Sequence, residues 1–266
     1  MKLAVIGGGV MGEAIMSGVL GKGLAKPKDI IVSDISQTRI LYLSQKHGIE
    51  ITRDNKKAIA GADMSVLAIK PGDLKSVMAD MEGSIPAGQI IISVVAGAKL
   101  STMLGGFKHD LIVRSMPNTP AQIGEGMIVW TSSPAIDEKA KDRARNVLAC
   151  LGKEVYVEKE AYIDMATAIS GSGPAYVFLV IEALIDAAVH IGLPRDIARE
   201  MVLQTVAGST KFALSTGKHP AELRNMVTSP GGTTASGLLE LESGKLRSLF
   251  VRAAAAAYEK SKALGG

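Results

Sequence analysis

The chain begins with a short apolar run, Leu3–Ile6, that stops at Gly7-Gly8-Gly9-Val10-Met11-Gly12 and continues as a helical pattern to Leu20. Few folds accept that succession of strand, glycine loop and helix. Gly7, Gly9 and Gly12 stand where a dinucleotide fold needs a tight turn, a close approach of backbone to a pyrophosphate, and close helix-to-strand packing. Gly8, Val10 and Met11 fall inside the same loop and are expected to line it. A glycine triplet alone is a weak signal, but one that follows a strand and opens a helix points to a Rossmann-type, doubly wound α/β sheet. The same run superficially resembles a secretory signal. The glycines end it, however, and Glu13 interrupts the sequel, so it reads as a buried strand.

Strands and helices then alternate. Residues 30–32 form a second strand ending in Ser33-Asp34. Asp34 lies 22 positions after Gly12, where an acid grips the adenosine ribose hydroxyls of NAD and repels the 2′-phosphate of NADP. Ser33, Ser36 and Arg39 could offset that repulsion, although Ser36 equally suits the cap of the next helix. Residues 49–51 extend the sheet, and Asn55 follows in the polar turn before a helix near 57–60. Residues 65–69 are almost continuously apolar, as a strand covered on both faces must be, and end in Lys70-Pro71-Gly72. Ligands of such sheets sit beyond the carboxyl ends of the strands. Ala68, Lys70 and Pro71 are therefore expected at the dinucleotide, with Lys70 positioning it rather than acting as a catalytic acid. Residues 90–95 exit in Ala96-Gly97 on the same rim, so Ala96 joins the expected cofactor set. Residues 111–114 lead into Ser115-Met116-Pro117-Asn118-Thr119-Pro120, readable as a plain strand-exit turn in which Arg114 pairs structurally. Strands at 127–131 and 154–157, around a helix at 136–151, finish the sheet.

After Glu158-Lys159-Glu160 every segment reads helical: 162–170, 174–191, 194–216, 219–227, 231–242 and 245–264. The expected division is a dinucleotide-binding domain over 1–160 and an all-α domain over 161–266. The helix after Ser170-Gly171-Ser172-Gly173-Pro174 is apolar almost all round, so it needs cover from several sides. A second subunit would supply what so small a helical domain cannot. On this helix Glu182, Asp186 and His190 make one polar stripe, but no fourth ligand stands at a telling spacing. No metal site is expected. His47 and His109 read as surface loop residues and His219 as part of a helix start.

Composition limits the partners. Aromatic residues are only 4% of the chain, which argues against surfaces that stack single-stranded bases. The net charge of +4 is scattered, so nucleic acid is not an expected partner. With 47% hydrophobic and 21% charged residues the chain is a packed, soluble one. Its single cysteine, Cys150, excludes an internal disulfide and reads as a small core residue. No stretch is expected to span a membrane, and a cytoplasmic location follows as the default.

The least ordinary stretch comes late: Thr228-Ser229-Pro230-Gly231-Gly232-Thr233-Thr234-Ala235-Ser236-Gly237. Leu238, Leu239 and Leu241 continue it at helical spacing, so a helix is expected to begin near Pro230 with Ser229 as its cap. Two glycines at a helix start cost stability, about 1 kcal/mol each in a helix interior. They also let an anion, most simply a carboxylate, approach unscreened N–H donors. Thr233 and Thr234 add hydroxyls within reach of the same guest. A tight glycine turn between two packed helices is the alternative reading.

This loop, read with His219 to Glu242, resembles the signature of the pyrroline-5-carboxylate reductases. Ser-Gly-Ser-Gly-Pro-Ala-Tyr at 170–176 resembles a second motif of that family. The resemblance covers essentially the whole chain. It implies NADP(H) or NAD(H) as cofactor, the family often preferring NADPH while Asp34 favours NADH. It places Asn55 and the Ala-Ile-Lys-Pro run, hence Ile69, at the cofactor, and makes Met116, Pro117 and Asn118 a nicotinamide-side loop. It further implies that 1-pyrroline-5-carboxylate is reduced to L-proline at the imine carbon. Ser229, Gly231, Gly232, Thr233 and Thr234 would hold the substrate carboxylate, and Thr234 would donate to the ring nitrogen. It also implies an intertwined homodimer that assembles further, with a decamer as the candidate. Two alternatives stay open. A β-hydroxyacid-type dehydrogenase would share the plan, but it would carry a catalytic lysine on the long helix, and residues 170–191 contain none. A dinucleotide sensor built on a retired reductase would leave the 229–234 loop without a use.

Overall fold

The computed structural model describes residues 1–264. The chain divides into two compact units: Met1–Ser172 with the segment from Ala257 onward, and Gly173–Ala256. The expected helical domain ran to residue 266, and residues 265 and 266 lie outside the described residues.

The first unit is built on eight strands among the described residues: β1 (Leu3–Ile6), β2 (Ile30–Ser33), β3 (Glu50–Thr52), β4 (Met64–Leu67), β5 (Ile90–Ser93), β6 (Ile112–Met116), β7 (Gly126–Ser132) and β8 (Gly152–Tyr156). Their order in the sheet is β3-β2-β1-β4-β5-β6-β7-β8. The first six are parallel, β7 runs antiparallel to β6, and β8 is parallel to β7. The order reverses at β1, which lies between β2 and β4, and that reversal opens a crevice at the carboxyl ends of the strands. Successive side chains of β1 go to opposite faces. Leu3 and Val5 pack with Ile15, Met16 and Val19 of α1 (Val10–Gly21) and with Val147 and Leu148 of the helix Glu138–Leu148. Ala4 and Ile6 pack with Ile59, Met78, Met103 and Phe107 on the other face. The intervening helices are α2 (Gln37–His47), α3 (Asn55–Ile59), α4 (Leu74–Met81), α5 (Leu100–Phe107) and α6 (Glu138–Leu148).

Two histidines differ from expectation. His47 ends α2, and its Nε2 lies 3.2 Å from the Glu13 carboxylate. His109 is buried, with Nε2 2.7 Å from the Gln89 carbonyl. In both cases the partner is remote in sequence, so local polarity misreports the burial. Cys150 is buried among apolar neighbours, and that burial raises its thiol pKa despite the nearby Lys22 charge.

The helical run from Ala161 to His190 is continuous, correcting the expected break at 170–174. α7 (Ala161–Ala166) passes through a wider turn, Thr167–Gly171, in which the Ser172 N–H reaches back to the Thr167 carbonyl at 2.8 Å, and continues as α8 (Gly173–His190). Pro174 has no N–H for the Ser170 carbonyl four residues before it, and the Asn118 side chain donates to that carbonyl instead, at 3.0 Å. By length and composition the joined run could cross a membrane, which also corrects the expectation that no stretch could.

The second unit contains α8, α9 (Arg195–Thr216), α10 (Pro220–Met226), α11 (Thr233–Ser243) and most of α12 (Leu246–Leu264). His219 caps α10: its Nδ1 accepts from the Ala221 N–H at 3.2 Å, while Glu222 accepts from the His219 N–H. Among the described residues no side chain of α8 is buried, and Phe178 and Leu179 are 61% and 64% exposed. The cover expected for this helix is not provided by its own chain.

Candidate functional site

The glycine loop follows directly from the end of β1. Gly7 has φ +99°, a left-handed conformation that lets the chain turn sharply, and a methyl there would overlap the Ala68 carbonyl. A methyl on Gly12 would overlap the Gly7 carbonyl, so this glycine sets how closely α1 approaches β1. Gly9 is different: a Cβ there would meet nothing within 4 Å. No packing constraint of the described chain requires glycine at that point. A phosphate approaching the start of α1, where N–H groups lack intrahelical acceptors, does require it. The loop therefore fits a dinucleotide pyrophosphate. Val10 is 60% exposed at the first turn of α1, and Met11 is half-buried beside it.

Around this loop the expected residues gather at the carboxyl ends of the strands. Asp34 follows β2, and its carboxylate accepts from the Gly8 N–H at 2.7 Å and the Ser36 N–H at 2.8 Å. It thus braces the loop while keeping acceptor capacity for ribose hydroxyls. Ser33 is buried and donates to Asn55 Oδ1 at 2.7 Å, and Asn55 in turn donates to Asp80 at 3.0 Å. Ser33 therefore stands behind Asn55. Ser36 caps α2 by accepting from the Arg39 N–H at 3.3 Å. Past β4, Ala68 donates its N–H to the Ile6 carbonyl at 2.8 Å, tying the two strand exits together. Ile69 is half-buried, and Lys70 and Pro71 are exposed at the start of a short 3-10 turn. Ala96 lies half-buried in the turn after β5.

Met116 ends β6, Pro117 is buried, and Asn118 is doubly anchored. Its Oδ1 accepts from the Met127 N–H at 2.9 Å, while its Nδ2 serves the Ser170 carbonyl. Arg114, 2% exposed, donates to Glu160 and to Asp164 at 2.7 Å each, so its role is structural in this chain.

Arg39 is the feature that sequence spacing does not reveal. Its guanidinium donates to the Gly8 carbonyl and pairs with Glu13, which also accepts from Lys46 Nζ at 2.8 Å. Burial alone would raise the Glu13 pKa. Hydrogen bonds from Lys46, Arg39 and His47 outweigh it and lower the value to about 2.

In the second unit the late loop takes a form other than the expected one. Pro230 does not start a helix. Gly232 N–H bonds the Ser229 carbonyl at 3.0 Å, closing a turn with Pro230 and Gly231 at its centre, and Gly231 has φ +70°. Those are the residue types a type II turn selects. Gly232, in an extended conformation, is the N-cap of α11. The free N–H groups at that helix start therefore belong to Thr233, Thr234 and Ala235. Ser229 and Thr233 are exposed and Thr234 is half-buried. A methyl on Gly232 would crowd the Ser229 hydroxyl at 2.5 Å, whereas one on Gly231 would meet nothing within 4 Å. Among the described residues no group of three potential metal ligands occurs.

Comparison with known proteins bears on both halves. A family model for pyrroline-5-carboxylate reductase dimerisation matches residues 160–264, and a model for NADP oxidoreductases, coenzyme F420-dependent, matches residues 2–97. The chain is 39% identical to a pyrroline-5-carboxylate reductase of Synechocystis, covering 100% of this chain and 98% of the relative. It is 36% identical to the one from Escherichia coli, with 99% and 98% covered. Among solved structures it resembles a pyrroline-5-carboxylate reductase from Coxiella burnetii, with TM-score 0.92, 35% identity, and 100% and 98% of the chains covered. It also resembles a Plasmodium falciparum pyrroline carboxylate reductase with NADP bound, at TM-score 0.91, 32% identity, and 100% and 98% covered. A 3-hydroxyisobutyrate dehydrogenase from Mycobacterium tuberculosis, at 16% identity and TM-score 0.53 with 88% and 71% covered, shares the fold alone.

Proposed function

The chain belongs to the pyrroline-5-carboxylate reductase family, and from that premise we propose how its own residues carry out the reaction. The protein is an NAD(P)H-dependent oxidoreductase of proline biosynthesis that reduces 1-pyrroline-5-carboxylate to L-proline. When bound, the reduced nicotinamide supplies the hydride that reaches the imine carbon.

The glycine loop at 7–12 holds the pyrophosphate, and Asp34 with Asn55 behind it receives the adenosine ribose. Ala68, Ile69, Lys70, Pro71 and Ala96 line the rim, and Met116, Pro117 and Asn118 bound the nicotinamide side. The turn at 229–232 brings bare backbone to the start of α11. There the N–H groups of Thr233 and Thr234 receive the substrate carboxylate, and the Thr234 hydroxyl donates to the ring nitrogen. Hydride addition to the protonated imine leaves a lone pair on the ring nitrogen, to which the Thr234 hydroxyl donates as it forms, so orientation and electrostatics suffice without a tuned acid. One observation carries this reading: Gly232 is the extended N-cap of α11 and makes no side-chain cap bond, so the N–H groups that begin the helix follow two glycines without side chains.

Initial rates with 1-pyrroline-5-carboxylate test it, measured against NADH and NADPH separately. Thr234→Ala is expected to lower kcat about 100-fold, the scale of one lost transition-state donor, while NAD(P)H binding stays at the wild-type level. Full turnover by that variant would remove the donor role.

The protein associates with itself through its helical region. We take the assembly to be an intertwined dimer that builds toward a decamer, and the exposed face of α8 to be covered by a second copy rather than by lipid. Functionally the chain then divides into a dinucleotide half over 1–160 and a substrate and dimerisation half over 161–266. A cytoplasmic location and the absence of nucleic-acid partners complete the proposal.

A further inference from the structure

α2 carries three basic side chains, Arg39, Lys46 and His47, and all three converge on one carboxylate, Glu13 in the first turn of α1. Arg39 is further committed to the Gly8 carbonyl, with a longer contact of 3.4 Å to that of Gly9. The adenosine end of a dinucleotide lies at the carboxyl ends of β1 and β2, where an acid selects the free ribose and a nearby arginine accommodates a 2′-phosphate. This chain has both, Asp34 and Arg39, five residues apart. Asp34 is held at that end by the Gly8 and Ser36 N–H groups, while the guanidinium of Arg39 is engaged by Glu13.

We propose that Glu13 is a specificity-determining residue, holding Arg39 and Lys46 on itself so that the site discriminates against a 2′-phosphate and favours NADH. The proposal rests on the dinucleotide reading of the 7–12 loop and extends it to a residue with no expected role. Glu13 lies behind the loop, so it acts through Arg39: it is a positioning residue. Its own negative charge, beside that of Asp34, adds to the repulsion of a dianionic 2′-phosphate. Arg53, exposed just past β3, is the competing cation on this rim.

The test is direct calorimetric titration of the whole chain with 5′-AMP and with 2′,5′-ADP (adenosine 2′,5′-bisphosphate), which differ only in the 2′-phosphate and undergo no turnover. Wild-type protein is expected to prefer 5′-AMP. Glu13→Gln should shift the ratio of the two Kd values toward 2′,5′-ADP by about fivefold, the scale of one partly exposed ion pair. Adding Arg39→Ala to Glu13→Gln should abolish that shift. Arg39→Ala alone should weaken both nucleotides equally, because it loosens the loop and not a phosphate contact. An unchanged ratio in Glu13→Gln overturns the proposal. So does a selective loss of 2′,5′-ADP in Arg39→Ala alone, or a wild-type preference for 2′,5′-ADP, which would point to Arg39 or Arg53 as a working phosphate ligand. Failure of the folded wild type to bind either nucleotide would overturn the dinucleotide assignment beneath it.

Discussion

Several single residues that shape this chain are held by partners far away in sequence. Arg114 shows the energetic side: with 3% of its side chain exposed, it joins the middle of β6 to Glu160 and Asp164. Replacing it with methionine keeps the volume but leaves two carboxylates facing each other, so Arg114→Met is expected to cost about 3 kcal/mol in urea denaturation. Glu13 gives a pH signature. Its folded pKa is depressed from 4.5 to about 2, so the stability it contributes is complete above 4.5 and is lost as pH falls toward 2. Acid titration of the denaturation midpoint should show that loss in wild type and a flatter profile in Glu13→Gln. The same long-range pairing explains the misread histidines. A sequence window around His47 or His109 contains neither Glu13 nor Gln89, so nothing local distinguishes those rings from solvated ones. Gly7, Gly9 and Gly12, by contrast, are legible because their spacing falls in one short stretch between the end of β1 and the start of α1, although the Ala68 carbonyl that crowds Gly7 is remote in sequence.

At the scale of elements, the sequence is ambiguous wherever one residue type serves two backbone geometries. Proline at a helix start and proline at the second position of a turn fix the same φ. Ser229-Pro230 therefore reads equally as a cap or as a turn, and only the positive φ of Gly231 decides it. The late loop was thus legible as a glycine-rich helix start, but the N–H groups at that start lie further along, at Thr233 to Ala235, and it is these that the proposal assigns to the carboxylate. Pro174 reverses the error: it looks like a helix boundary, yet the wider turn before it lets the helix continue. Asn118 makes that continuation possible, because it pairs the Ser170 carbonyl and the Met127 N–H together. Asn118→Ala would leave both groups unpaired and should cost about 2 kcal/mol. Hydrogen exchange should report the loss as faster exchange at Met127.

For the whole molecule the doubly wound class of sheet and the glycine loop were legible from alternation and spacing, whereas the strand order and the antiparallel β7 were not, and the helical half is marked only by what it lacks. Phe178, Leu179 and Val251 are exposed on a chain that has little core of its own in Gly173–Ala256. On the proposal that a second copy covers that apolar surface, the thermal midpoint should rise with protein concentration. Phe178→Glu should shift the protein toward monomer in light scattering and remove that concentration dependence.

The chain leaves its first compact unit after Ser172 and comes back to it at Ala257, where Ser261 donates to Asp164 at 3.3 Å. Topologically the helical unit is an insertion, tied to its host by two covalent strings rather than hung from one. A protease that nicks a single loop within Gly173–Ala256 therefore frees no domain, since each fragment keeps a piece of the host. Truncation from the C-terminus removes the host's last segment, with its Ser261–Asp164 bond, before it reaches the turn at 229–232, and a circular permutant opened inside the insertion would keep the host contiguous.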